Sequence, residues 1–333
     1  MKSPNSGDRS GHSGDIDEFA AIERLRHRFE SAARSVLPDQ HLPPPGDTWI
    51  GDDAAVTGMD SADQVLWATD LVVEGVHFDL DLGNLGDAGY KAVMVAVSDL
   101  AAMGAWPRFA LVSIAAPAGT DLELLGAGLA DAAVESGCVV VGGDLSESPT
   151  LVVSTAVMGT LRADPDRGPL LRSGARPSDR LFVTGPLGGS AAGLRLLRGG
   201  DTAGPLADGL VRAYRRPVAR VGEGEVARLA GASAAIDISD GLASDLGHLA
   251  ASSGVGFALD AVPVADGATE AEALGGGEEY ELLVTSGDPD RLMGAFRAAG
   301  LRPPLAIGRC TDQLGRCTLE GRPLSPGGWQ HRF

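Results

Sequence analysis

The sequence predicts a two-domain protein of the α/β class (α+β in its details), and three observations carry this prediction. The chain has 333 residues, enough for about two domains at roughly 100–200 residues each. It is 44% hydrophobic and 22% charged with only 5% aromatic residues, which is typical of a globular α/β protein. Short apolar runs also alternate with helical patterns along most of the chain. A small disulfide-stabilised scaffold is therefore excluded.

The first predicted domain covers residues 16–161 and follows a polar tail, 1–15, that has almost no apolar residues and that we expect to be disordered. Apolar residues at helical spacing predict a helix over 19–37, and an apolar run predicts a strand over 65–73. Asp87 is expected to cap the next helix, and Gly104 to follow its end. The remaining predicted elements are strands over 109–116, 138–141 and 151–158 and a helix over 121–136.

The second predicted domain covers residues 162–333 and is also α/β. It begins with a stretch over 162–178 that is rich in proline and glycine, as is typical of a crossing between domains. Its predicted strands cover 181–184, 235–238, 257–259, 281–285, 305–307 and 317–319, and its predicted helices cover 191–197, 242–251 and 289–299. Both domains thus contain apolar strands followed by acidic loops.

Charge and composition exclude several classes of function. With 45 acidic and 27 basic residues, the net charge is −18, which argues against nucleic acid or an anionic membrane as the main partner. The only lysines are Lys2 and Lys91, and neither follows the glycine pattern of a Walker phosphate loop. The three cysteines do not have the spacing of a zinc site. With no apolar run near the roughly 18 residues of a membrane span, we expect a cytoplasmic protein.

Five acidic motifs share one local pattern, an aspartate beside small or apolar residues at the predicted end of an apolar segment. A single aspartate of this kind is more often a helix cap or a turn residue. Five together favour a divalent cation, because isolated carboxylates in such surroundings are costly and Mg²⁺ prefers oxygen ligands. The motifs are Gly51-Asp52-Asp53, Thr69-Asp70, Ser98-Asp99, Gly142-Gly143-Asp144 and Asp237-Ile238-Ser239-Asp240-Gly241.

Three other features have two interpretations each from the residues alone. His77 lies among apolar neighbours, where a hydrogen-bonded core histidine is the common role. The glycine-rich stretch 185–190 is either an anion site at a helix start or a plain strand-to-helix turn. The acidic cluster that begins at Glu278 would by itself more often be a solvated turn.

Taken in order, these motifs resemble the thiamine-monophosphate kinases, a family of the aminoimidazole-ribonucleotide-synthetase-like ATP-binding superfamily. The resemblance rests on the five acidic motifs, on Gly89-Tyr90-Lys91-Ala92, on Arg172-Ser173-Gly174-Ala175 and on Gly277-Glu278-Glu279-Tyr280-Glu281-Leu282. The family usually has an aspartate where this chain has Glu279. The resemblance implies ATP-dependent phosphorylation of thiamine monophosphate to thiamine diphosphate, several Mg²⁺ ions, and a homodimer whose first domains form a shared β-barrel.

The resemblance also implies roles for individual residues. Mg²⁺ would be held by Asp53, Thr69, Asp70, Asp99, Asp144, Asp237 and Asp240. ATP would be contacted by Gly143, Asp144, Arg172 and Ser239, and the thiamine substrate by His77, Glu278 and Trp329. No covalent nucleophile or general base is expected, because a phosphate acceptor with a second pKa of about 6 is already largely deprotonated near neutral pH.

Two alternatives stay open at this point. A sister synthetase of the same superfamily would keep the ATP and metal sites but change the acceptor pocket. A non-catalytic nucleotide-binding regulator would keep the fold, although retention of all seven proposed metal positions argues against it.

Overall fold

The computed structural model describes residues 18–38, 41–44, 49, 64–162, 164, 167–324 and 327–328. The predicted disordered tail 1–15 lies outside these residues. Within the described ranges, no helix combines the length and the apolar character that crossing a membrane requires.

The first domain is a four-stranded sheet with helices packed on it. Its elements are α1 Glu18–Val36, β1 Val65–Val73, α2 Leu85–Ala102, β2 Trp106–Ala116, α3 Leu122–Ser136, β3 Val139–Glu147 and β4 Val152–Thr160. The strand order is β1-β4-β2-β3. β4 runs antiparallel to β1 and β2, whereas β2 and β3 are parallel. β1 and β3 therefore form opposite edges of this sheet.

Several boundaries differ from the sequence predictions for local physical reasons. The side chain of Asn84, rather than Asp87, caps α2 by accepting the Asp87 N–H, and Asp87 lies in the first turn. The strand predicted over 138–141 extends to Glu147, because its polar second half still pairs with β2. The predicted strand 65–73 is confirmed without change.

The second domain contains a seven-stranded mixed sheet. Its elements are β5 Arg180–Val183, α4 Gly189–Gly199, α5 Pro205–Arg215, α6 Val221–Ala230, β6 Ala234–Asp237, α7 Leu242–Ser253, β7 Gly256–Leu259, α8 Glu270–Gly275, β8 Leu282–Ser286, α9 Pro289–Ala298, β9 Leu305–Thr311, β10 Cys317–Leu319 and β11 Arg322–Pro323. The strand order is β11-β10-β7-β9-β5-β8-β6. Helices α5, α6 and α8 are additions to the elements that the sequence predicted.

The two domains meet along α2, which packs on both α6 and β6. A side chain at Gly224 in α6 would come within 1.9 Å of the Ala101 carbonyl oxygen, so only glycine allows this close approach. Nearby, the buried Arg228 donates to the carbonyl oxygens of Gly104, Arg162 and Arg167. This junction fixes the C-terminal half of α2 against the end of β6.

Glu279 anchors the segment before β8 to the first turn of α4. Its Oε1 accepts the Ser190 N–H at 3.2 Å, and the N–H groups of Gly188 and Gly189 also stabilise its charge. The glycine-rich stretch 185–190 thus binds an anion, but this anion is a carboxylate of the chain itself. Burial nevertheless raises the pKa of Glu279 to about 7, opposed by these N–H groups.

The raised pKa of Glu279 predicts a pH-dependent stability. Its folded pKa of about 7 lies above the ordinary 4.5, so the stability that it contributes is present at acid pH and is lost as the pH rises through about 7. Relative to wild type, Glu279→Gln should therefore gain about 1–2 kcal/mol of unfolding free energy between about pH 5 and about pH 8, after discounting for solvent screening. Urea denaturation across this range measures the difference.

The exposed Glu270 offers a control, because Glu270→Gln makes the same chemical change at an exposed position in the neighbouring helix α8. If the unfolding free energy of Glu279→Gln changes with pH in the same way as that of wild type, ionisation of Glu279 does not reduce stability and the prediction is wrong.

Candidate active site at the domain junction

A serine and two aspartates meet where α2 packs against β6. Ser98 and Asp99 lie in the last turns of α2, and Asp237 is the last residue of β6. Ser98 Oγ donates a hydrogen bond of 2.7 Å to Asp237 Oδ2. Both Ser98 and Asp237 are buried. This hydrogen bond links an acidic motif of the first domain to one of the second.

The carboxylates in this cluster destabilise one another's charge. Burial raises the pKa of Asp99 to about 7, with further increases from Asp237 and Asp70. Burial also raises the pKa of Asp237, an effect that the Ser98 hydrogen bond opposes and Asp70 reinforces. Arg172 lowers the pKa of both Asp99 and Asp237. The structure thus brings four of the predicted site residues, Asp70, Asp99, Asp237 and Arg172, into one electrostatic group.

The pKa of Tyr280 is shifted by burial and by the same group of carboxylates. Tyr280 is buried and belongs to the second domain, yet it packs in the apolar core of the first. Its pKa is raised well above the usual range, first by burial and then by the carboxylates of Glu278, Asp70, Asp237 and Asp99. One phenol ring therefore lies within the field of carboxylates from both domains.

Ser239 and Asp240 lie in a loop that Asp245 shapes from the first turn of α7. Asp245 Oδ2 accepts the N–H groups of Ser239, Asp240 and Gly241, each at 3.1 Å. Burial raises the pKa of Asp245 to about 7, with contributions from Asp237 and Asp240. Ligand atoms of Asp240, Asp245 and His248 lie within 4.8 Å of one another.

Thr69, Asp70 and Asp144 lie inside strands, although the sequence predicted aspartates at strand ends. Thr69 and Asp70 are in β1, which pairs with β4 along its whole length, and Asp144 is in the extended part of β3. Asp70 and Asp144 are thus on opposite edge strands, three strand spacings or about 14 Å apart. Gly143, beside Asp144, has no space for a side chain, because a Cβ would lie 1.8 Å from the Val112 carbonyl oxygen.

His77 and Glu278 are brought together by a buried lysine. Lys91 Nζ lies 3.0 Å from the His77 carbonyl oxygen and 3.0 Å from Glu278 Oε2. His77 Nδ1 accepts the Val73 N–H at 3.1 Å, so the proton of the neutral ring is assigned to Nε2. Two predicted substrate contacts from different domains therefore share one cation.

Two predicted site residues, Asp53 and Trp329, lie outside the described residues. Three residues in and around the site were missed by sequence reasoning: Lys91, Asp245 and Tyr280. Lys91 was signalled by being one of only two lysines in an acidic chain. Asp245 follows Gly241 by four residues, which is the spacing of a carboxylate in the first turn of a helix.

Two family models match the chain. The first is that of the AIR synthase related protein, N-terminal domain, which matches residues 51–161. The second is that of the AIR synthase related protein, C-terminal domain, which matches residues 176–318. Together they account for more than half of the sequence.

Comparison with individual proteins identifies a narrower family than the two family models do. The thiamine-monophosphate kinase of Mycobacterium tuberculosis (strain CDC 1551 / Oshkosh) is 35% identical over 328 residues, covering 95% of this chain and 91% of that protein. The crystal structure of thiamine-monophosphate kinase from Stenotrophomonas maltophilia K279a is 33% identical with a TM-score of 0.77, covering 92% of this chain and 98% of that one.

A third similar protein, AaThiL, was solved complexed with AMPPCP and TMP. It is 29% identical with a TM-score of 0.73, covering 98% of this chain and 100% of that one. Because the family models and these relatives agree over most of its length, the chain belongs to the AIR synthase related family and, within it, to the thiamine-monophosphate kinases.

Proposed function

We propose that this protein transfers the γ-phosphate of ATP to thiamine monophosphate and releases thiamine diphosphate and ADP. The observation that carries the proposal is the similarity to AaThiL, complexed with AMPPCP and TMP, over 98% of this chain. The acidic junction between the domains suits a reaction between two anionic phosphates only if cations accompany them. We assign the reaction to the cytoplasm, where ATP is available.

The donor set at the junction fits Mg²⁺. Asp70, Asp99 and Asp237 offer hard oxygen ligands, and burial together with charge repulsion raises the pKa of Asp99 and Asp237, so a divalent cation would relieve this repulsion. Asp53, Thr69, Asp144 and Asp240 complete the proposed set. When bound, Mg²⁺ would neutralise phosphate charge and align the reacting groups.

The chain's own residues supply binding and orientation. Arg172, whose charge reaches Asp99 and Asp237, is exposed and thus accessible to a nucleotide phosphate. Gly143 and Ser239 are the further ATP contacts that the family resemblance implies. His77, Glu278 and Trp329 contact the thiamine substrate. An oxygen of the acceptor phosphate attacks the γ-phosphorus as the bond to the bridging oxygen of ADP breaks, and no covalent intermediate forms.

The first domain is proposed to form a homodimer through an eight-stranded barrel. Within the described residues, the edge strands β1 and β3 each pair with one strand only. The sheet also exposes large apolar side chains, with Trp67 71% exposed and Leu71 and Leu111 more than 40% exposed. Joining β1 of one protomer to β3 of its partner would satisfy both edges and cover these side chains.

The same pairing explains the separation of Asp70 from Asp144. Within one chain, two strands lie between them. In the proposed dimer, β3 of the partner subunit lies beside β1, so each site takes Asp70, Asp99 and Asp237 from one protomer and the residue equivalent to Asp144 from its partner. Each active site is then complete only in the dimer.

The activity is tested by following phosphoryl transfer with ATP, Mg²⁺ and thiamine monophosphate. We expect thiamine diphosphate to form, and we expect Asp99→Asn to reduce its rate at least about a hundredfold, because that change removes charge that holds metal against phosphate. ATP consumption that is independent of thiamine monophosphate would contradict the proposal. Quantitative chromatography of the thiamine phosphates provides the measurement.

The same Asp99 variant should not lose stability when metal is removed. The folded pKa of about 7 lies above the ordinary 3.8, so ionisation of Asp99 reduces stability as the pH rises through about 7. In EDTA at about pH 8, Asp99→Asn should therefore melt at or above the wild-type temperature. A lower melting temperature would contradict the assignment of Asp99 to an uncompensated carboxylate cluster.

The dimer is tested by placing a charge on the exposed face of the sheet. Wild type should have twice the 34.0 kDa chain mass in light scattering, and Trp67→Asp should shift the protein towards monomer with loss of activity. Leu314, 77% exposed in the second domain, provides the control, and Leu314→Asp should remain dimeric. A fully active wild-type monomer would exclude the shared barrel.

A further inference from the structure

Lys91 is a cation with no access to solvent. It lies in α2 and is only 1% exposed, and a buried ammonium is costly unless its protons have acceptors. An ammonium has three N–H donors. Two point to the Glu278 carboxylate and the His77 carbonyl oxygen, and the face of the Tyr214 ring lies 4.2 Å from Nζ. The three groups come from three separate parts of the chain.

The two hydrogen-bond acceptors of Lys91 are the two described residues that we expect to bind thiamine monophosphate. His77 follows β1 in the first domain, and Glu278 precedes β8 in the second. The Glu278 side chain remains 24% exposed, whereas that of Lys91 is 2% exposed. A ligand can therefore reach the Glu278 carboxylate, and one oxygen of this carboxylate accepts a hydrogen bond from the buried Lys91.

The backbone at Glu278 requires external support. Glu278 has a φ of +61° and Tyr280 a φ of +52°, a left-handed conformation that is unfavourable for residues with a side chain. The Glu278 N–H donates to the Ser239 carbonyl oxygen at 2.8 Å, and the Tyr280 N–H donates to the Ile238 carbonyl oxygen at 2.8 Å. These bonds hold the backbone, and Lys91 is the partner that fixes the Glu278 carboxylate.

We propose that Lys91 is a positioning residue that couples the two acceptor contacts, His77 and Glu278, across the domain junction and thereby sets the affinity for thiamine monophosphate. It does not touch the substrate. Because its ammonium reaches both residues, its loss would release the Glu278 side chain and loosen the turn at His77 together. This inference rests on the proposed function, since it takes both residues as contacts of the acceptor.

The test compares Lys91→Met with wild type in steady-state kinetics and in calorimetric binding of thiamine monophosphate without ATP. We expect the KM and Kd for thiamine monophosphate to rise about tenfold or more, with the KM for ATP changed less than about twofold. Lys91→Arg keeps the charge and should restore part of the affinity.

Arg228 gives a matched control, because it is also 1% exposed at the same junction, and within the described residues its hydrogen bonds go to the backbone carbonyls of Gly104, Arg162 and Arg167, away from His77 and Glu278. Arg228→Met should reduce stability without a selective effect on thiamine monophosphate. Equal effects of the Lys91 and Arg228 changes on the two substrates would overturn the proposal, because they would indicate a general loss of structure.

A double-mutant cycle separates action through Glu278 from an independent effect. If Lys91 acts partly by holding Glu278, then Lys91→Met combined with Glu278→Gln should weaken substrate binding by clearly less than the product of the two single effects, and the effect that remains reports the turn at His77. Fully additive effects would overturn the proposal. If Lys91→Met does not fold, Tyr214→Leu is a second variant, which removes the aromatic ring beside Nζ. It should raise the KM for thiamine monophosphate about threefold or more without changing the KM for ATP. An unchanged KM for thiamine monophosphate would count against the proposal.

Failure of this inference and failure of the proposed function are distinguishable. If wild type does not phosphorylate thiamine monophosphate, the function is wrong, whatever the variants do. If wild type is active and Lys91→Met binds thiamine monophosphate as tightly as wild type, only the role of Lys91 is wrong.

Discussion

Buried carboxylates repel one another, and this chain gathers Asp70, Asp99 and Asp237 where its two domains meet. Burial raises the pKa of Asp99 to about 7 with further increases from Asp237 and Asp70, and Asp70 also adds to the raised pKa of Asp237. Without a metal the cluster reduces stability, and with divalent cations the same charges become ligands. The Ser98 hydrogen bond, the close packing of α2 on α6 and the backbone bonds to Asp245 all act to hold these charges together. The acidic net charge of the whole chain agrees with a site in which cations accompany the phosphates.

Two basic residues at the domain junction, Arg172 and Lys91, differ in their exposure to solvent. Arg172 is exposed, and its charge lowers the pKa of both Asp99 and Asp237. Lys91 is buried and committed to Glu278, His77 and Tyr214. The exposed Arg172 is suited to contacting a ligand. The buried Lys91 is suited to holding the two domains together. This division agrees with the roles proposed above, in which Arg172 contacts the nucleotide and Lys91 holds the acceptor contacts.

Local patterns predicted the parts of the fold that carry strong apolar periodicity. The strand over 65–73 and the helix near 19–37 correspond to β1 and α1 within one residue at each end. Helices α5 and α6 were missed. The apolar residues of α5 do recur at helical spacing, with Pro205 at its first position, whereas Gly222 and Gly224 lower the helix propensity of α6. The sequence indicated a chemical role for the aspartates of the site, whereas Lys91 and Tyr280 stood in recognised motifs without an assigned role. Their roles arise from contacts between residues far apart in the chain, such as Lys91 with Glu278, and these depend on how the domains pack.

In the proposed dimer, each active site combines Asp70 of one protomer with Asp144 of its partner. Co-expressing Asp70→Asn and Asp144→Asn chains with different affinity tags allows the heterodimer to be isolated. One of its two sites would be intact, so about half of the wild-type activity should return, although each variant alone is inactive. A heterodimer of wild type with a chain carrying both changes should be inactive. An inactive first heterodimer together with a half-active second one would contradict the claim, because it would place both aspartates in the site of a single chain.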